Sequence, residues 1–413
     1  MKKKRIDEIS RRGALKVGAG LTLGGVLGDS EMAAAAESVK PGIYESLGVK
    51  RIINATGTVT VLGGSLMPPE VVAAWVDASK SFVNILELHD KVGERIAKII
   101  GVDAALVTTG ASGALLLATA AAVTQGNRDF IKKLPDTTGM KNEVIIQKSH
   151  HSCYDNQLTN VGVKLIEVET AADVNQAINE RTVLMFFMNI NDPDGRIKRA
   201  EWVALARKYK VLSLIDAAAD APPIERLTEY TKIGFDLVAF SGGKAIRGPN
   251  DTGLLLGSKE LIAAAKLNAN PHCGTIGRMM KVSKEDMVAL LAAVELFVKK
   301  DHAAEMREWE RRIAVIEKRL KDIPTVQSER IVPAIANHVP HVIFTWDEKK
   351  LNVTPTQVAK ELMAGDPPIQ IGRMSGTGDK GILISVFVLQ NGDEEIVANR
   401  LHAILTKHAE KPS

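Results

Sequence analysis

Cysteine is scarce in this sequence, and the residue spacings that bind metal ions are missing. The 413 residues include two cysteines, Cys153 and Cys273, and neither a CxxC nor an HExxH pattern occurs. Two isolated cysteines rarely form a disulfide framework, and a chain of this length can bury a large core without one. We therefore expect free thiols, and the sequence predicts no metal site.

An excess of charge of one sign is also lacking beyond the first residues. The formal net charge is +4, and much of this excess lies within residues 1–16. Because no basic stripe remains in the rest of the chain, nucleic acid is not an expected partner. A chain with 45% hydrophobic and 25% charged residues is expected to fold rather than to remain disordered.

A long membrane-spanning run is absent, but the first residues have the pattern of an export signal. A short glycine-rich apolar stretch follows Arg11 and Arg12 and has Lys16 near its start. The small residues of MAAAAES come after it. This pattern resembles a twin-arginine signal peptide. It predicts that residues 1–36 are a signal peptide cleaved near Ala36, with export to the periplasm by the twin-arginine machinery. The alternative is a basic amphipathic tail on a cytoplasmic protein.

Short apolar runs alternate with helix-like stretches from residue 104 onward. Seven runs have the composition of strands buried on both faces, namely AALVTTG, EVIIQK, KLIEVE, TVLMFFMN, VLSLIDAA, LVAF and GLLLG. The alternation predicts a large doubly wound α/β domain over residues 61–282, with a mainly parallel sheet of about seven strands. Ligands bind at the carboxyl ends of strands in such sheets, so we expect functional residues directly after these runs.

The sequence on either side of this domain has a different pattern. Residues 283–323 have helical spacing over more than the length of an ordinary globular helix, which predicts a connecting helix or a close pair. Four further apolar runs and two helical runs predict that residues 283–413 also contain a smaller C-terminal α+β domain. Residues 37–60 are predicted to form an N-terminal arm that packs on one of the two domains.

Lys244 lies in the motif SGGK, directly after the apolar run LVAF. A lysine in a partly desolvated pocket loses part of its preference for the charged form, and the neutral amine reacts with aldehydes. We expect the two preceding glycines to leave room for a bound group. The alternative is a surface lysine in a glycine turn, and the GxxxxGK[ST] spacing of a phosphate loop is missing.

Two further strand ends carry groups that suit a phosphorylated aldehyde with an aromatic ring. Asp216 ends the run VLSLID, where burial is unfavourable unless the carboxylate has a cationic partner such as a protonated pyridine nitrogen. The alternative for Asp216 is a helix N-cap. The turn containing Gly110, Ala111 and Ser112 places N–H groups and a hydroxyl at the start of a helix, where a phosphate is favoured.

Two adjacent histidines, His150 and His151, follow the run EVIIQK. One imidazole can stack on a flat cofactor ring, and the other can face solvent or transfer protons. The sequence does not separate the two, and we select His151 for the catalytic and ring-contact role. The alternative is a histidine without a chemical role.

The order of a phosphate turn, a histidine, an aspartate and Ser-x-x-Lys resembles pyridoxal-phosphate enzymes of the aspartate-aminotransferase fold (fold type I). The segments RIINATGTVTVLGGSLMPPEV, ALVTTGASGALLLATAA and FDLVAFSGGKAIRGPNDTGLLLG are similar to the branch that contains bacterial selenocysteine synthase and D-glucosaminate-6-phosphate ammonia-lyase. The resemblance implies pyridoxal 5'-phosphate as cofactor. It implies that Lys244 binds the cofactor covalently, that Asp216 binds the pyridine nitrogen, and that Ser241 and the turn at 110–112 hold the phosphate.

The resemblance also implies a homodimer or larger homo-oligomer whose sites are completed by a neighbouring subunit. Thr252, or the arm near Thr56 and Gly57, is then expected to reach the partner's site. Selenocysteine synthase carries an additional N-terminal tRNA-binding domain, and we expect no room for one between the predicted signal and INATGT. An exported protein does not meet charged tRNA either, so selenium transfer to tRNA is not expected.

For the reaction, we expect a lyase that acts on an amino acid or amino-sugar acid and gives a 2-oxo acid and ammonia. Lys244 is the expected general base for the α-proton. Arg373 is the predicted partner of the substrate carboxylate, although an ordinary surface arginine is the alternative; Arg247 and Arg278 are weaker candidates for anion contacts. Other reactions of the same cofactor are left open, namely an aminotransferase or selenium-transferase-like transferase, an aldolase and a racemase. A non-catalytic metabolite binder is the least favoured alternative.

Overall fold

A computed structural model describes residues 42–372 and 381–409 of the chain. The chain divides into two units, Met1–Val49 and Lys50–Ser413. The described part of the first unit contains helix α1 (Ile43–Ser46), which has no buried residue. The predicted signal peptide, residues 1–36, lies outside the described residues.

Twelve strands occur in the described residues, and all belong to the second unit. In chain order they are β1 (Ile53–Ala55), β2 (Ala104–Thr109), β3 (Glu143–Gln147), β4 (Lys164–Val168), β5 (Thr182–Met188), β6 (Leu212–Asp216), β7 (Leu237–Ser241), β8 (Thr252–Gly257), β9 (Gln327–Ile331), β10 (His341–Thr345), β11 (Ile369–Ile371) and β12 (Ile382–Ser385).

Fourteen α-helices lie in the described part of the second unit. They are α2 (Pro69–Ala78), α3 (Ile85–Ile100), α4 (Gly110–Thr124), α5 (Arg128–Lys133), α6 (Asp155–Thr159), α7 (Ala171–Ala177), α8 (Arg199–Tyr209), α9 (Arg226–Ile233), α10 (Lys259–Asn268), α11 (Lys284–Lys299), α12 (His302–Leu320), α13 (Glu348–Leu351), α14 (Pro355–Ala364) and α15 (Asp393–Ala409). Across the described ranges, no helix has both the length and the apolar character needed to cross a lipid bilayer.

Seven strands form the central sheet, in the order β2-β8-β7-β6-β5-β3-β4. They coincide with the seven apolar runs of the sequence. Four of the six strand pairs are parallel, and β8 runs antiparallel to both of its neighbours. The strand β8 returns antiparallel because the connection over residues 242–251 is shorter than the dozen or so residues that a parallel crossover needs. The predicted mainly parallel α/β sheet is therefore confirmed.

Both faces of this sheet are buried. The consecutive side chains Phe186 and Phe187 are both fully buried but belong to two different apolar clusters, because successive strand residues point to opposite faces. The helix α4 is buried continuously from Gly113 to Thr124. An alanine- and leucine-rich helix without a polar face is stable there because protein surrounds it on all sides.

The C-terminal part of the chain forms a smaller α+β region, as predicted. The long helical segment is a close pair, in which Asp301 caps α12 by accepting a hydrogen bond from the Ala304 N–H at 2.9 Å. The strands β12, β10 and β9 form an antiparallel sheet, and β1 pairs in parallel with β11. The part of the predicted arm from Lys50 onward therefore joins this region through β1, while the domain boundaries stay a prediction.

Candidate active site

The sheet topology brings two predicted site residues, Asp216 and Ser241, and the residue before the predicted phosphate turn, Thr109, to one edge of the central sheet. Thr109, Asp216 and Ser241 are the last residues of β2, β6 and β7. These three strands run in the same direction, because β8 is antiparallel to both β2 and β7. Beyond this edge lies a cavity of about 330 Å³, whose lining includes Lys244, Asp216, Ser241 and residues 109–112.

The loop that carries Lys244 is held by close backbone packing. A Cβ atom at Gly242 would lie 2.3 Å from Thr252 Oγ1, and one at Gly243 would lie 2.4 Å from the Cα of Asn250. The two glycines are therefore needed because the returning chain passes directly beside them. The expectation that they leave room for a bound group was wrong.

Ser65 holds this loop from the segment between β1 and α2. Its hydroxyl lies 2.9 Å from the Gly243 carbonyl oxygen and 2.8 Å from that of Lys244, and its backbone N–H donates to Gly243 at 3.0 Å. Ser65 is buried. The backbone of Lys244 is thus anchored while its side chain extends into the cavity lining.

The side chain of Lys244 has no hydrogen-bond or ion-pair partner within residues 42–372 and 381–409. Burial lowers the pKa of its ammonium group, and the carboxylates of Asp216 and Asp220 oppose this shift in part. A lowered pKa increases the fraction of neutral amine, which is the form that attacks an aldehyde, and the half-buried side chain faces the cavity. The interpretation of Lys244 as a surface residue is therefore excluded.

Asp216 is 7% exposed and receives one hydrogen bond, from the Ala218 N–H to Oδ1 at 2.9 Å. Burial raises the pKa of this carboxyl to about 6, although the Ala218 hydrogen bond and Lys244 favour the ionised form. Its second oxygen has no hydrogen-bond partner in the described residues. The carboxylate is therefore placed to receive a cationic N–H group from the cavity.

A second buried carboxylate, Asp220, lines the same cavity and was missed by the sequence analysis. Its Oδ2 accepts hydrogen bonds from Asn189 Nδ2 at 2.7 Å and from the Tyr230 hydroxyl at 2.9 Å. Burial raises its pKa, and these hydrogen bonds oppose the shift. The signal in the sequence was a second acid four positions after Asp216 in the segment DAAAD.

The turn between β2 and α4 has the geometry of an anion site. Gly110 has φ +65°, and the backbone at Gly110 and Ala111 packs so closely on β8 that a Cβ atom at Gly253 would lie 2.3 Å from the Gly110 carbonyl carbon. Thr109 Oγ1 is buried without a hydrogen-bond partner among the described residues. An unpartnered hydroxyl beside the N-terminus of a long helix suits a phosphate ligand.

Neither of the two adjacent histidines is among the residues that line this cavity within the described chain. His150 is fully buried, and its Nδ1 accepts a hydrogen bond from the Met188 N–H at 3.2 Å. Burial lowers the pKa of His150 to about 4. His151 Nδ1 lies 2.5 Å from Asp155 Oδ2, and its Nε2 lies 3.3 Å from Glu167 Oε1.

The lining residue of this segment is Tyr154, which follows His151 by three positions. Burial raises the pKa of its hydroxyl. The ring-contact role that we assigned to His151 stays a prediction, and Tyr154 is the aromatic ring that the structure places in the cavity wall. Tyr154 lies in a loop, so no hydrophobic periodicity or motif spacing in the sequence distinguishes it from its neighbours.

The predicted arginines do not reach the described lining of the cavity. Arg247 Nη2 lies 3.3 Å from Glu305 Oε1, and Arg278 is exposed with a hydrogen bond to Asn270 Oδ1 at 3.4 Å. The substrate role of Arg247 is therefore not supported, because its guanidinium already pairs with a carboxylate. Arg373 lies outside the described residues.

Thr252 does not reach out toward a neighbouring subunit. It is fully buried, and its hydroxyl donates to the Pro249 carbonyl at 2.7 Å. Its predicted contact with a partner's site was therefore wrong. The residues Thr56 and Gly57 turn around Asn54, whose Oδ1 accepts from the Thr56 N–H at 3.0 Å. Two threonines slightly further on, Thr58 and Thr60, line the cavity of the same chain.

Three observations agree on one kind of ligand for this cavity. Lys244 offers an unpartnered amine, Asp216 offers an unpartnered carboxylate oxygen, and Thr109 offers an unpartnered hydroxyl at a helix N-terminus. An aldehyde, a basic ring nitrogen and a phosphate are their chemical complements. The residues present therefore fit pyridoxal 5'-phosphate.

Comparison with known proteins decides the family. The model of the aminotransferase class-V family matches residues 78–345, which is more than half of the chain. This chain belongs to that family. It is a pyridoxal-phosphate-dependent enzyme, so the fold and the cofactor inferred from the sequence are both confirmed.

Curated and solved relatives lie in the branch that the sequence resembles. The chain is 35% identical over 266 residues to D-glucosaminate-6-phosphate ammonia lyase of Salmonella typhimurium, covering 62% of this chain and 70% of the relative. It is 27% identical over 383 residues to 5'-C-glycyluridine monooxygenase-decarboxylase of a Streptomyces species, covering 90% and 94%. L-seryl-tRNA(Sec) selenium transferases are also among the relatives.

A solved structure of D-glucosaminate-6-phosphate ammonia-lyase has the same fold. It superposes with a TM-score of 0.77 at 26% sequence identity, covering 90% of this chain and 100% of the other. The likeness extends beyond the central sheet, since the matched share of the chain is larger than residues 61–282 alone. The arrangement of the C-terminal region relative to the sheet is therefore common to both proteins.

Proposed function

We propose that this protein is a pyridoxal-phosphate-dependent lyase that converts a β-hydroxylated amino acid or amino-sugar acid into a 2-oxo acid and ammonia. The observation that carries the proposal is the unpartnered amine of Lys244 in the same cavity as the buried Asp216. The likeness to an ammonia lyase at 35% identity supports this choice among the reactions of the family.

Lys244 has two roles in this proposal, at the same Nζ atom. It binds the cofactor between turnovers, and once displaced by the substrate amine it takes the α-proton. Burial lowers the pKa of Nζ and so increases the neutral fraction that can accept this proton. When bound, pyridoxal phosphate supplies an electron-accepting ring for the electron pair left at the α-carbon.

Asp216 would stabilise the positive charge of the protonated pyridine ring, and this charge is what lets the ring accept electrons. Its free Oδ2 would receive the N–H of the pyridine ring, while Oδ1 stays bonded to the Ala218 N–H at 2.9 Å. An ionised carboxylate in a buried site is stabilised by a cationic partner and stabilises that partner in return. Asp216 would therefore favour the protonated form of a ring nitrogen bound at this position.

The atom balance of the proposed reaction needs no additional reactant. The α-proton leaves to Lys244, the β-hydroxyl leaves as water, and one water molecule then hydrolyses the carbon–nitrogen bond to release ammonia. The second product is a 2-oxo acid. Arg373 stays the predicted partner of the substrate carboxylate and lies outside the described residues.

A second candidate is decarboxylation at the same α-carbon, followed or not by oxidation. The likeness that favours it is the relative named 5'-C-glycyluridine monooxygenase-decarboxylase, which matches 90% of this chain. A lyase releases ammonia and keeps the carboxylate, whereas a decarboxylase releases carbon dioxide. An aminotransferase would release neither and would instead pass the amino group to an added keto acid.

The proposal is tested by incubating the cofactor-loaded protein with a panel of amino acids and amino-sugar acids. We expect release of ammonia and a 2-oxo acid in equal amounts from at least one β-hydroxylated compound. Lys244→Ala should abolish both, and Lys266→Ala, a change at a lysine outside the cavity, should leave both unchanged. Carbon dioxide release or amino-group exchange without net ammonia would reject the lyase in favour of the second candidate or a transferase.

We also propose that the protein is a homo-oligomer that contacts its copies through residues 59–86. This segment exposes an unusual number of large apolar side chains, namely Val59, Val61, Leu66, Val72, Trp75, Val76, Phe82, Val83 and Leu86. Phe82 is fully exposed and Val61 is 90% exposed. Large apolar surfaces of this kind mark protein–protein contacts. Thr60 of the same segment and Thr58 just before it line the cavity.

Export by the twin-arginine machinery to the periplasm stays a proposal. It is supported by Arg11, Arg12 and Lys16 ahead of a glycine-rich apolar stretch. Export of a protein that is already folded suits an enzyme that takes up its cofactor in the cytoplasm. Mass spectrometry of periplasmic material should give a mature N-terminus near residue 37, and intact Met1 at that location would contradict cleavage.

A further inference from the structure

The polar lining of the active-site cavity separates into two groups. Lys244, Asp216, Ser241 and the turn at 109–112 suit the cofactor, as argued above. The remaining polar lining includes two carboxylates, Asp220 and Asp251, and the hydroxyl or amide groups of Thr58, Tyr154, Asn250 and Asn337. This second group is what the substrate meets beyond the cofactor.

No arginine and no lysine other than Lys244 lines the cavity within the described residues. The arginines behind Asp220 pair with other carboxylates: Arg199 Nε lies 3.4 Å from Asp192 Oδ2, and Arg226 Nη1 lies 2.8 Å from Glu229 Oε2. Arg247 pairs with Glu305 in the same way. Each of these three arginines thus pairs with a carboxylate outside the cavity lining, and Arg199 and Arg226 also favour the ionised form of Asp220.

Asp251 adds negative charge without a counterion among the described residues. It makes no ion pair there, and the neighbouring carboxylate is Asp286, which accepts a hydrogen bond from Trp75 Nε1 at 3.0 Å. Burial and the charge of Asp286 raise the pKa of Asp251. The described wall outside the cofactor contacts is therefore neutral or negative.

The backbone holds this polar wall in place on the far side of the cavity. The Asn337 N–H donates to the Ala219 carbonyl at 2.7 Å, and Ala336 and Asn337 both have positive φ, at 53° and 45°. Two consecutive non-glycine residues in the left-handed region are uncommon outside sites where the surrounding contacts enforce them. The side-chain amide of Asn337 has no recorded partner in the described residues.

We propose that this enzyme selects a hydroxyl-bearing amino acid or amino-sugar acid whose one anionic group is its carboxylate, and discriminates against the phosphorylated form of the same compound. The inference rests on the proposed lyase function. Hydroxyl groups have donors and acceptors to meet in threonine, asparagine and aspartate side chains. A phosphate carries a charge of about −1.5 to −2 and would face carboxylates, with no cation other than Lys244 among the lining residues that the structure describes.

The test compares D-glucosaminate with D-glucosaminate 6-phosphate on the cofactor-loaded enzyme at low ionic strength. We expect kcat/KM for ammonia release to favour the unphosphorylated compound by about tenfold or more. Binding, followed by the change in cofactor absorbance, should show the same order. Equal use of the two compounds, or preference for the phosphate, would overturn this inference while leaving the lyase function in place.

Asp251→Asn provides the matched variant, because it removes one negative charge from the cavity wall and keeps the side-chain size. We expect this variant to have a higher kcat/KM for the phosphorylated compound, so that the ratio of the two kcat/KM values decreases. Added salt should also decrease this ratio, because it screens the repulsion. Asp129→Asn, the same change at an exposed position on α5, should leave the ratio unchanged. An unchanged ratio in Asp251→Asn would overturn the role of Asp251. If neither compound binds or yields ammonia, the lyase function for this substrate class falls together with the inference.

Discussion

The cavity at the sheet edge and the segment 59–86 are both incomplete in the single chain, but in opposite ways. The cavity is lined by polar atoms that have no partner among the described residues, including the buried Thr109 Oγ1 and the amine of the half-buried Lys244. The segment 59–86 exposes apolar side chains that have no apolar neighbour to cover them, such as Phe82 and Val61. The cavity therefore offers polar atoms to a small ligand, and the segment 59–86 offers apolar area to another protein surface.

The two regions differ in the kind of interaction that makes them selective for a partner. A buried polar group is satisfied only by a complementary atom at hydrogen-bond distance, so three such groups define one ligand. Apolar contact is non-directional and depends on the area removed from water. The cavity is therefore specific residue by residue, whereas the exposed segment is expected to act through its total area.

The largest effect is expected from removing the amine of Lys244. Lys244→Ala should lose the borohydride-trapped cofactor adduct completely and lower kcat by about a thousandfold or more, because no other lysine lines the cavity within the described residues. Peptide mapping of the reduced protein measures the adduct. Lys266→Ala serves as control, since Lys266 pairs with Asp90 at 2.6 Å outside the cavity. A wild-type protein that takes up no pyridoxal phosphate would contradict the cofactor assignment of this cavity.

The next effect concerns the exposed segment. Phe82→Asp should shift the protein from oligomer to monomer in sedimentation velocity, because a charge replaces a fully exposed apolar ring at the proposed contact. Ile396→Asp, at a side chain that is 40% exposed on α15, should leave the assembly unchanged. A wild-type monomer at micromolar concentration would remove the basis for this comparison between the two regions.

A smaller effect, with a defined pH dependence, is expected at Asp216. Burial raises the pKa of this carboxyl from 3.8 to about 6 in the folded chain without its cofactor. Below pH 4 the group is protonated in both the folded and unfolded states. Between about pH 4 and pH 6 the unfolded state loses this proton while the folded state keeps it, so the contribution to the free energy of unfolding falls as pH rises. Above pH 6, where the folded state also carries the buried charge, the loss is complete, at up to about 3 kcal/mol.

Asp216→Asn should therefore make the cofactor-free protein more stable than wild type at pH 8 and about equally stable near pH 3, below the ordinary pKa of the carboxyl. Urea unfolding at the two pH values measures the difference. In the cofactor-loaded protein the order at pH 8 should reverse, because the variant lacks the negative charge that pairs with the ring nitrogen. A pH-independent difference would mean that Asp216 is not the group responsible.

The smallest effect is expected at the anchor of the lysine loop. Ser65→Ala removes the hydroxyl that contacts the carbonyls of Gly243 and Lys244 but keeps the backbone hydrogen bond to Gly243. We expect a loss of about 1 kcal/mol in the free energy of unfolding and faster cofactor release. Ser81→Ala, at an exposed position, should change neither quantity. Cofactor release at the wild-type rate would show that Ser65 does not position Lys244.

Much of the fold and the centre of the site were predictable because they depend on local patterns. Seven apolar runs became the seven strands of the central sheet, since strands buried on both faces need continuous apolar sequence. Lys244 and Asp216 were found because a charged residue directly after such a run is conspicuous. The antiparallel direction of β8 was not predicted, although the connection over residues 242–251 is too short for a parallel crossover.

The rest of the cavity wall came from residues that no local pattern distinguishes. Tyr154, Asp220 and Asn337 lie in loops, and tertiary folding brings them to the same cavity from three separate parts of the chain. The same folding placed Arg247 beside Glu305, which removed a predicted anion contact. Side-chain direction in loops depends on long-range packing, so spacing in the sequence did not report it.

By itself, the sequence determined the sheet and the family and singled out the lysine that we expect to bind the cofactor, because each depends on a short run with a chemical reason of its own. The tertiary structure alone decided why two glycines precede Lys244. They accommodate the backbone of Asn250 and the side chain of Thr252 rather than the cofactor. It also decided which charges face the substrate, because burial and ion pairing are properties of neighbours that are distant in the chain.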